Sequence, residues 1–202
     1  SKRNIDVELI DYGVLGMTRP ERGSFYGMPF LSGLAGIDHL GGPTISQACA
    51  TGARSILALV QEINLGLSSC GLAVTCDRTS NGPHIYYPNP EGFGGTGEHE
   101  NFIMDNMACD PLGQHSMTLT AENVAAKYNI DTCQQHELVL YREEQYRCSL
   151  KSNREFQRRY MTLPFDLPDT NFIKKLGQID GDEGFRTSDS DILSSLKPVI
   201  DG

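Results

Sequence analysis

The sequence predicts an α/β fold. The first observation is a strand–helix–strand succession between Thr44 and Cys76, about 33 residues, the size of a parallel βαβ unit. Apolar residues at helical spacing (Ala53, Ile56, Leu57, Val60, Ile63) are followed by the unbroken run Gly71-Leu72-Ala73-Val74-Thr75-Cys76, which fits a strand covered on both faces. The second is a glycine- and proline-punctuated stretch at 77–113, and the third a polar, helical texture from Met117 to Tyr160.

Taken in order, Ile5, Val7, Leu9 and then Val14, Leu15 read as strand, broken by a turn near Asp11-Tyr12-Gly13. Gly41-Gly42-Pro43 interrupts the chain, and 44–47 is short and β-prone. The helix over 50–65 is apolar all round, which predicts burial between layers, and Gly66 stands where a C-terminal cap belongs. In 77–113, Asn81-Gly82-Pro83, Pro88-Asn89-Pro90 and the glycines of 92–97 predict loops. Beyond it, Thr118 or Thr120 can cap a helix carrying Val124, Ala125 and Tyr128. Asp131-Thr132-Cys133-Gln134 has the form of a capping box opening a second helix. On that helix Leu138, Tyr141, Gln145 and Cys148 share one face, and Arg142, Glu143, Glu144 and Arg147 suit solvent. Pro164 and Pro168 end the helical region.

Composition narrows the function classes. The chain has 202 residues and a formal net charge of −9, with a mean hydropathy of −0.33. An acidic surface argues against nucleic acid as the main partner, because phosphate contacts need a basic one. The longest aliphatic run, 56–60, is far short of the roughly 20 residues that cross a bilayer, so no membrane partner is expected. Six cysteines without a CxxC pair, and no secretory signal, predict reduced thiols in a cytoplasmic protein. Neither terminus carries a boundary signal, and the chain is expected to be part of something longer.

The most informative chemistry lies at Ser46-Gln47-Ala48-Cys49-Ala50-Thr51-Gly52. Here a cysteine leaves a short strand and opens an apolar helix, where unpaired N–H groups and the helix dipole favour a thiolate. Ala48, Ala50 and Gly52 leave room for a substrate carbonyl. The local pattern admits two readings, a nucleophile or an inert cysteine packed at a strand–helix junction.

This stretch resembles the nucleophile motif of the thiolase family. Met117-Thr118-Leu119-Thr120-Ala121-Glu122-Asn123-Val124-Ala125 is similar to the family's Met-Gly-x-Thr-Ala-Glu-Asn-Val-Ala stretch, with Thr118 in place of the glycine. Asp182-Glu183-Gly184-Phe185-Arg186, with Leu196-Lys197-Pro198, resembles the family's return from loop domain to core. The segment 77–84 is similar to one branch of bacterial thiolase-like acyltransferases, and Thr75-Cys76 stands where a glycine pair is usual. The resemblance implies a layered α/β/α core, here a partial N-terminal domain (1–78), with an inserted, mostly helical loop domain (79–185) and a return segment (186–202).

It also implies an acyltransferase in which Cys49 carries the acyl group. Met117 is implied to line the pantetheine channel of coenzyme A, and Arg158, Arg159 and Arg186 are further candidate contacts to it; coenzyme A is bound as acyl-CoA substrate rather than as a covalent cofactor. A homo-oligomer, dimer or tetramer, or a complementing chain is expected. The family's Gly-His-Pro histidine and Cys-x-Gly cysteine are not found in these 202 residues, so this chain alone is expected not to turn over. Two rivals remain: a non-catalytic thiolase-like module that binds a partner chain, and a ketosynthase-type condensing enzyme. The Thr-Ala-Glu-Asn stretch favours thiolase over the latter.

Other features carry less. His39, His84, His99, His115 and His136 show no metal-binding spacing, so no metal is expected. The glycines of 92–97 lack a preceding strand and a following Lys-Ser/Thr, and read as a loop rather than a phosphate cradle. The basic cluster of 154–160 reads as a solvated helix face or as a contact to nucleotide phosphates.

Overall fold

A computed structural model describes residues 5–78 and 82–200. Thr79, Ser80 and Asn81 of the 77–84 segment lie outside the described residues. The chain divides into two compact units, 1–117 and 118–202.

The first unit is organised on β1 (Tyr12–Gly16), which is followed by α1 (Met28–Leu34), β2 (Thr44–Ile45), α2 (Thr51–Asn64) and β3 (Gly71–Thr75). The three strands form a parallel sheet in the order β2-β1-β3, with Gly16 in register with Ile45 on one side and Thr75 on the other. The expected parallel relation of 44–47 and 71–76 therefore holds, with β1 between them. The ladder continues past the strands: Gly13 N–H donates to Gly41 O at 2.9 Å and Leu15 N–H to Pro43 O at 3.1 Å. Side chains alternate across a strand. A Cβ on Gly13 would meet Met28 of α1, whereas one on Gly16 would meet Ser55 and Thr51 of α2, so a helix covers each face of the sheet.

The core cluster of Ile10, Leu15, Met17, Met28, Ile37 and Leu40 packs on the α1 side. On the other side α2 buries Thr51, Ser55 and Leu59. Ile56, Leu57, Val60 and Ile63 are exposed, which corrects the expectation of a helix buried all round. One layer, the β1–β3 face, covers α2, and burial follows that contact rather than composition. Its C-terminus closes as read from the sequence: Gly66 has φ of 71°, Gly66 N–H donates to Ile63 O and Leu67 N–H to Glu62 O, both at 3.0 Å.

Two other sequence expectations are corrected. Val7–Leu9 is a 3-10 turn, not a strand, because the Asp6 carboxylate accepts the Glu8 N–H at 3.1 Å and closes the backbone locally. The stretch read as loop contains an antiparallel hairpin of β4 (His84–Tyr87) and β5 (Glu98–Asn101), then α3 (Met104–Ala108). The 92–97 glycines form the hairpin's connection.

The second unit carries α4 (Met117–Tyr128, beginning at the unit boundary), α5 (Thr132–Ser149), α6 (Lys151–Tyr160), the antiparallel pair β6 (Phe165–Pro168) and β7 (Lys175–Ile179), and α7 (Ser190–Ser195). The capping box at Asp131 is present in full: its side chain accepts from Gln134 N–H at 2.8 Å and Gln134 Oε1 accepts from Asp131 N–H at 3.0 Å. The faces of α5 differ from expectation. Leu138 and Tyr141 are exposed, and the buried residue of the helix is Glu143. Helical spacing shows which residues share a face, but the cover comes from the distant residues 185–188. Among the described residues no helix is long and apolar enough to cross a membrane.

Candidate active site at the strand ends

In parallel α/β sheets ligands bind beyond the carboxyl ends of the strands, and Cys49 sits there. After β2 the chain turns through Ser46 and Gln47 into a 3-10 turn at Ala48–Ala50, which runs into α2. Ala48 holds a φ of 43°, a left-handed conformation unusual for a residue with a Cβ. The Thr51 hydroxyl stabilises the turn, accepting from Gln47 N–H at 2.8 Å and donating to Ala48 O at 2.7 Å. Both bonds bracket Cys49, whose side chain is exposed.

A cleft of about 320 Å³ opens beside it, lined among others by Gly16, Thr18, Cys49, Gly52, Cys76 and Asp77. Gly16 has to be glycine here, since a Cβ would lie 2.5 Å from Ser55 Oγ and 2.9 Å from Thr75 Cγ2. A Cβ on Gly52 would meet nothing within 4 Å, so that side of the cleft is open space.

The end of β1 ties the two flanks together. Ser46 Oγ donates to Thr18 O at 3.3 Å, and Thr18 N–H donates to the Asp77 carboxylate at 3.0 and 3.3 Å. Cys76 N–H donates to Gly16 O at 3.2 Å. Cys76 lines the same cleft, but partial burial and the neighbouring carboxylates of Asp77 and Glu21 push its thiol up, so it keeps its proton. Sequence reasoning did not single out Thr18, Thr51 or Asp77 as site residues. Thr51 lies within the recognised motif and its i, i+3 hydroxyl bond was a readable signal, whereas the Thr18–Asp77 pair spans 59 positions and had none.

The other site candidates belong to α4 and the second unit. Met117 begins α4 and is 40% exposed. Arg158 donates from Nε to Asn153 O at 2.9 Å and from Nη1 to Leu163 O at 3.1 Å, so two of its donors hold backbone carbonyls. Arg159 is exposed on α6, and Arg186 is exposed between half-buried Phe185 and Ser188. Among the described residues no histidine lines the cleft, and no group of three His, Cys, Asp or Glu is placed to hold a metal.

The family model of the thiolase N-terminal domain matches residues 1–202. A mitochondrial acetyl-CoA acetyltransferase of Gibberella zeae is 28% identical over 164 residues, covering 78% of this chain and 35% of that protein. A probable acetyl-CoA acyltransferase of Staphylococcus aureus is 28% identical over 167 residues, covering 78% and 39%. Among solved structures, the Bacillus anthracis acetyl-CoA acetyltransferase superposes with a TM-score of 0.78 at 23% identity, covering 98% of this chain and 49% of that one. Human mitochondrial 3-ketoacyl-CoA thiolase in complex with CoA gives 0.73 at 20%, covering 98% and 48%. The chain thus spans about half the length of these solved structures and less of the curated relatives. With the α/β/α layering, the strand-end cysteine and a family match over its whole length, the chain belongs to the thiolase family.

Proposed function

We propose that the protein takes part in acyl transfer from acyl-CoA through a thioester on Cys49. The observation that carries this reading is an exposed thiol, held in a strained turn at the start of a 14-residue helix and beside an open cleft. In the proposed step Cys49 Sγ attacks the thioester carbonyl carbon. The carbonyl π electrons move to oxygen and return as the bond to the coenzyme A sulfur breaks, and that sulfur leaves with the proton the thiol gives up. The positive end of the α2 dipole stabilises the transient oxyanion. Thr51 and the Ser46–Thr18–Asp77 chain keep the turn and the cleft in place.

Coenzyme A is the substrate carrier. Met117 is proposed to line its pantetheine arm, and Arg159 and Arg186 to face its phosphates. Arg158, a candidate for the same task from the basic cluster of 154–160, first supports the backbone around 153–163. The proton acceptor for Cys49 and the acid/base for carbon–carbon bond chemistry are not assigned to this chain, so complete turnover belongs to the whole protein. Assembly as a dimer or tetramer is part of the same proposal.

The test is acylation. The protein is incubated with acetyl-CoA, quenched in acid and mapped with trypsin, where Arg22 and Arg54 bound a peptide of residues 23–54 that contains Cys49 as its only cysteine. One acetyl group on that peptide, absent in Cys49→Ala, is the expected result. No acylation, or acylation that persists in Cys49→Ala, overturns the reading. The exposed apolar face of α2 (Ile56, Leu57, Val60, Ile63) favours a second reading, a non-catalytic module that binds a partner chain. Absence of acylation together with a stable complex through that face would establish it.

A further inference from the structure

Glu143 is the one carboxylate among the described residues that is buried, with 7% of its surface exposed, and acyl transfer at Cys49 gives it no task. A buried carboxylate is costly unless it is paired and hydrogen-bonded. Both oxygens of Glu143 are used. Oε1 takes the Arg147 guanidinium at 2.5 Å, one turn along α5, and Oε2 accepts the backbone N–H of Ser188 at 2.8 Å. One turn from Glu143 on the same helix face, the Tyr146 ring stacks on Phe185, with centroids 4.2 Å apart and planes 26° from parallel. The stretch 185–188 is therefore fixed to α5 at both ends, at 185 and 188. Between them are Arg186 and Thr187, both exposed.

We propose that Glu143 and Tyr146 are positioning residues for Arg186, fixing the backbone on both sides of it so that its guanidinium is held out as a binding group for a nucleotide phosphate. This rests on the proposed role of Arg186 toward coenzyme A and adds the groups that make that role effective. A guanidinium binds phosphate through a planar fork, so its geometry matters as much as its charge. An arginine on a loose segment loses backbone freedom on binding, and a segment already fixed at 185 and 188 has lost it on folding. The Glu143 charge is neutralised by Arg147 rather than by Arg186, which leaves Arg186 to the ligand.

Coenzyme A affinity of the full chain, measured by isothermal titration calorimetry, tests the proposal. Arg186→Ala is expected to weaken binding by about tenfold, and Glu143→Ala by about three- to tenfold. The double variant Arg186→Ala/Glu143→Ala is expected to bind no more weakly than Arg186→Ala alone, because Glu143 acts only through Arg186. Tyr146→Leu should weaken binding, and Tyr146→Phe, which keeps the stacked ring, should bind like the original. Unchanged affinity in Arg186→Ala overturns the assignment of Arg186 itself. A weakened Arg186→Ala together with an unaltered Glu143→Ala, or losses that multiply in the double variant, overturns the positioning role and leaves Arg186 standing. If Glu143→Ala does not fold, Tyr146→Leu against Tyr146→Phe, each combined with Arg186→Ala, makes the same comparison: losses that multiply overturn the positioning role, and losses that do not support it.

Discussion

The two units hold their candidate groups by different means. Among the described residues, eight of the ten buried hydrophobic side chains lie in 1–117, and six of those form one cluster under the sheet. Among the described residues the second unit buries only Leu163 and Leu193 in this way, together with the charged Glu143. In the first unit the place of Cys49 follows from strand register: β2 and β3 both end level with Gly16, and the turn after β2 has one course into α2. In the second, Arg186 is placed by a carboxylate on a backbone N–H and by a ring on a ring. Register and packing are collective, so a single side chain in the first unit shifts the site through the whole sheet. Polar anchoring is local, and its loss frees one segment while the surrounding helices persist.

That contrast can be broken or sharpened by substitution. The largest effect is expected for Gly42→Ala. Gly42 has φ of 144° and a Cβ there would run into the Gly13 carbonyl of the neighbouring strand. Strain and clash together should cost about 3 kcal/mol or more in denaturant unfolding, with the cooperative transition of the first unit lost first. A neutral Gly42→Ala would show that the sheet does not set the site. Next comes the pair Met28→Ala and Leu193→Ala. Met28 is 1% exposed in the cluster and should lose about 2–5 kcal/mol, whereas Leu193, in a unit with little core, should lose less. Equal losses would erase the distinction.

Thr51→Val keeps the shape and removes the hydroxyl that bridges Gln47 and Ala48. About 1–2 kcal/mol is expected from melting curves, together with slower acylation of Cys49. Unchanged acylation would mean that the turn is held by the strands alone. The smallest effect is a pH dependence. Asp11 accepts from Ser68 Oγ at 2.5 Å and from the N–H groups of Ser69 and Cys70 at 2.8 and 3.2 Å. These bonds, the Ser68 hydroxyl first, hold its carboxyl below the ordinary 3.8. Since the folded value is the lower one, its stabilisation is present above pH 3.8 and is lost as pH falls through the folded value. Asp11→Asn should lower stability at neutral pH, where the carboxylate's contribution is fully present, cost little below the folded value, and so flatten the acid limb, as followed by circular dichroism.

What the sequence determined by itself was local or repeated in pattern. Helical spacing in 50–65, the Gly66 cap and the Asp131–Gln134 capping box could be read because each depends on residues within a few positions of one another. Cys49 was readable for the same reason, since a short strand, small residues and a helix start are contiguous. The errors arose where a distant segment or a competing local bond decides. Val7–Leu9 lost its strand to a side-chain bond from Asp6, and the 84–101 hairpin was hidden by its punctuating glycines and prolines. α2, whose apolar residues extend beyond one face, is covered on one face only, because a single sheet face packs against it. Glu143 looked like a solvent charge, and only the return of residues 185–188 onto α5 buried it. The Thr18–Asp77 bond that ties the cleft together joins residues 59 positions apart. Periodicity records which side chains share a face. What lies over that face is set by chain closure over many residues, and the tertiary structure alone decides it.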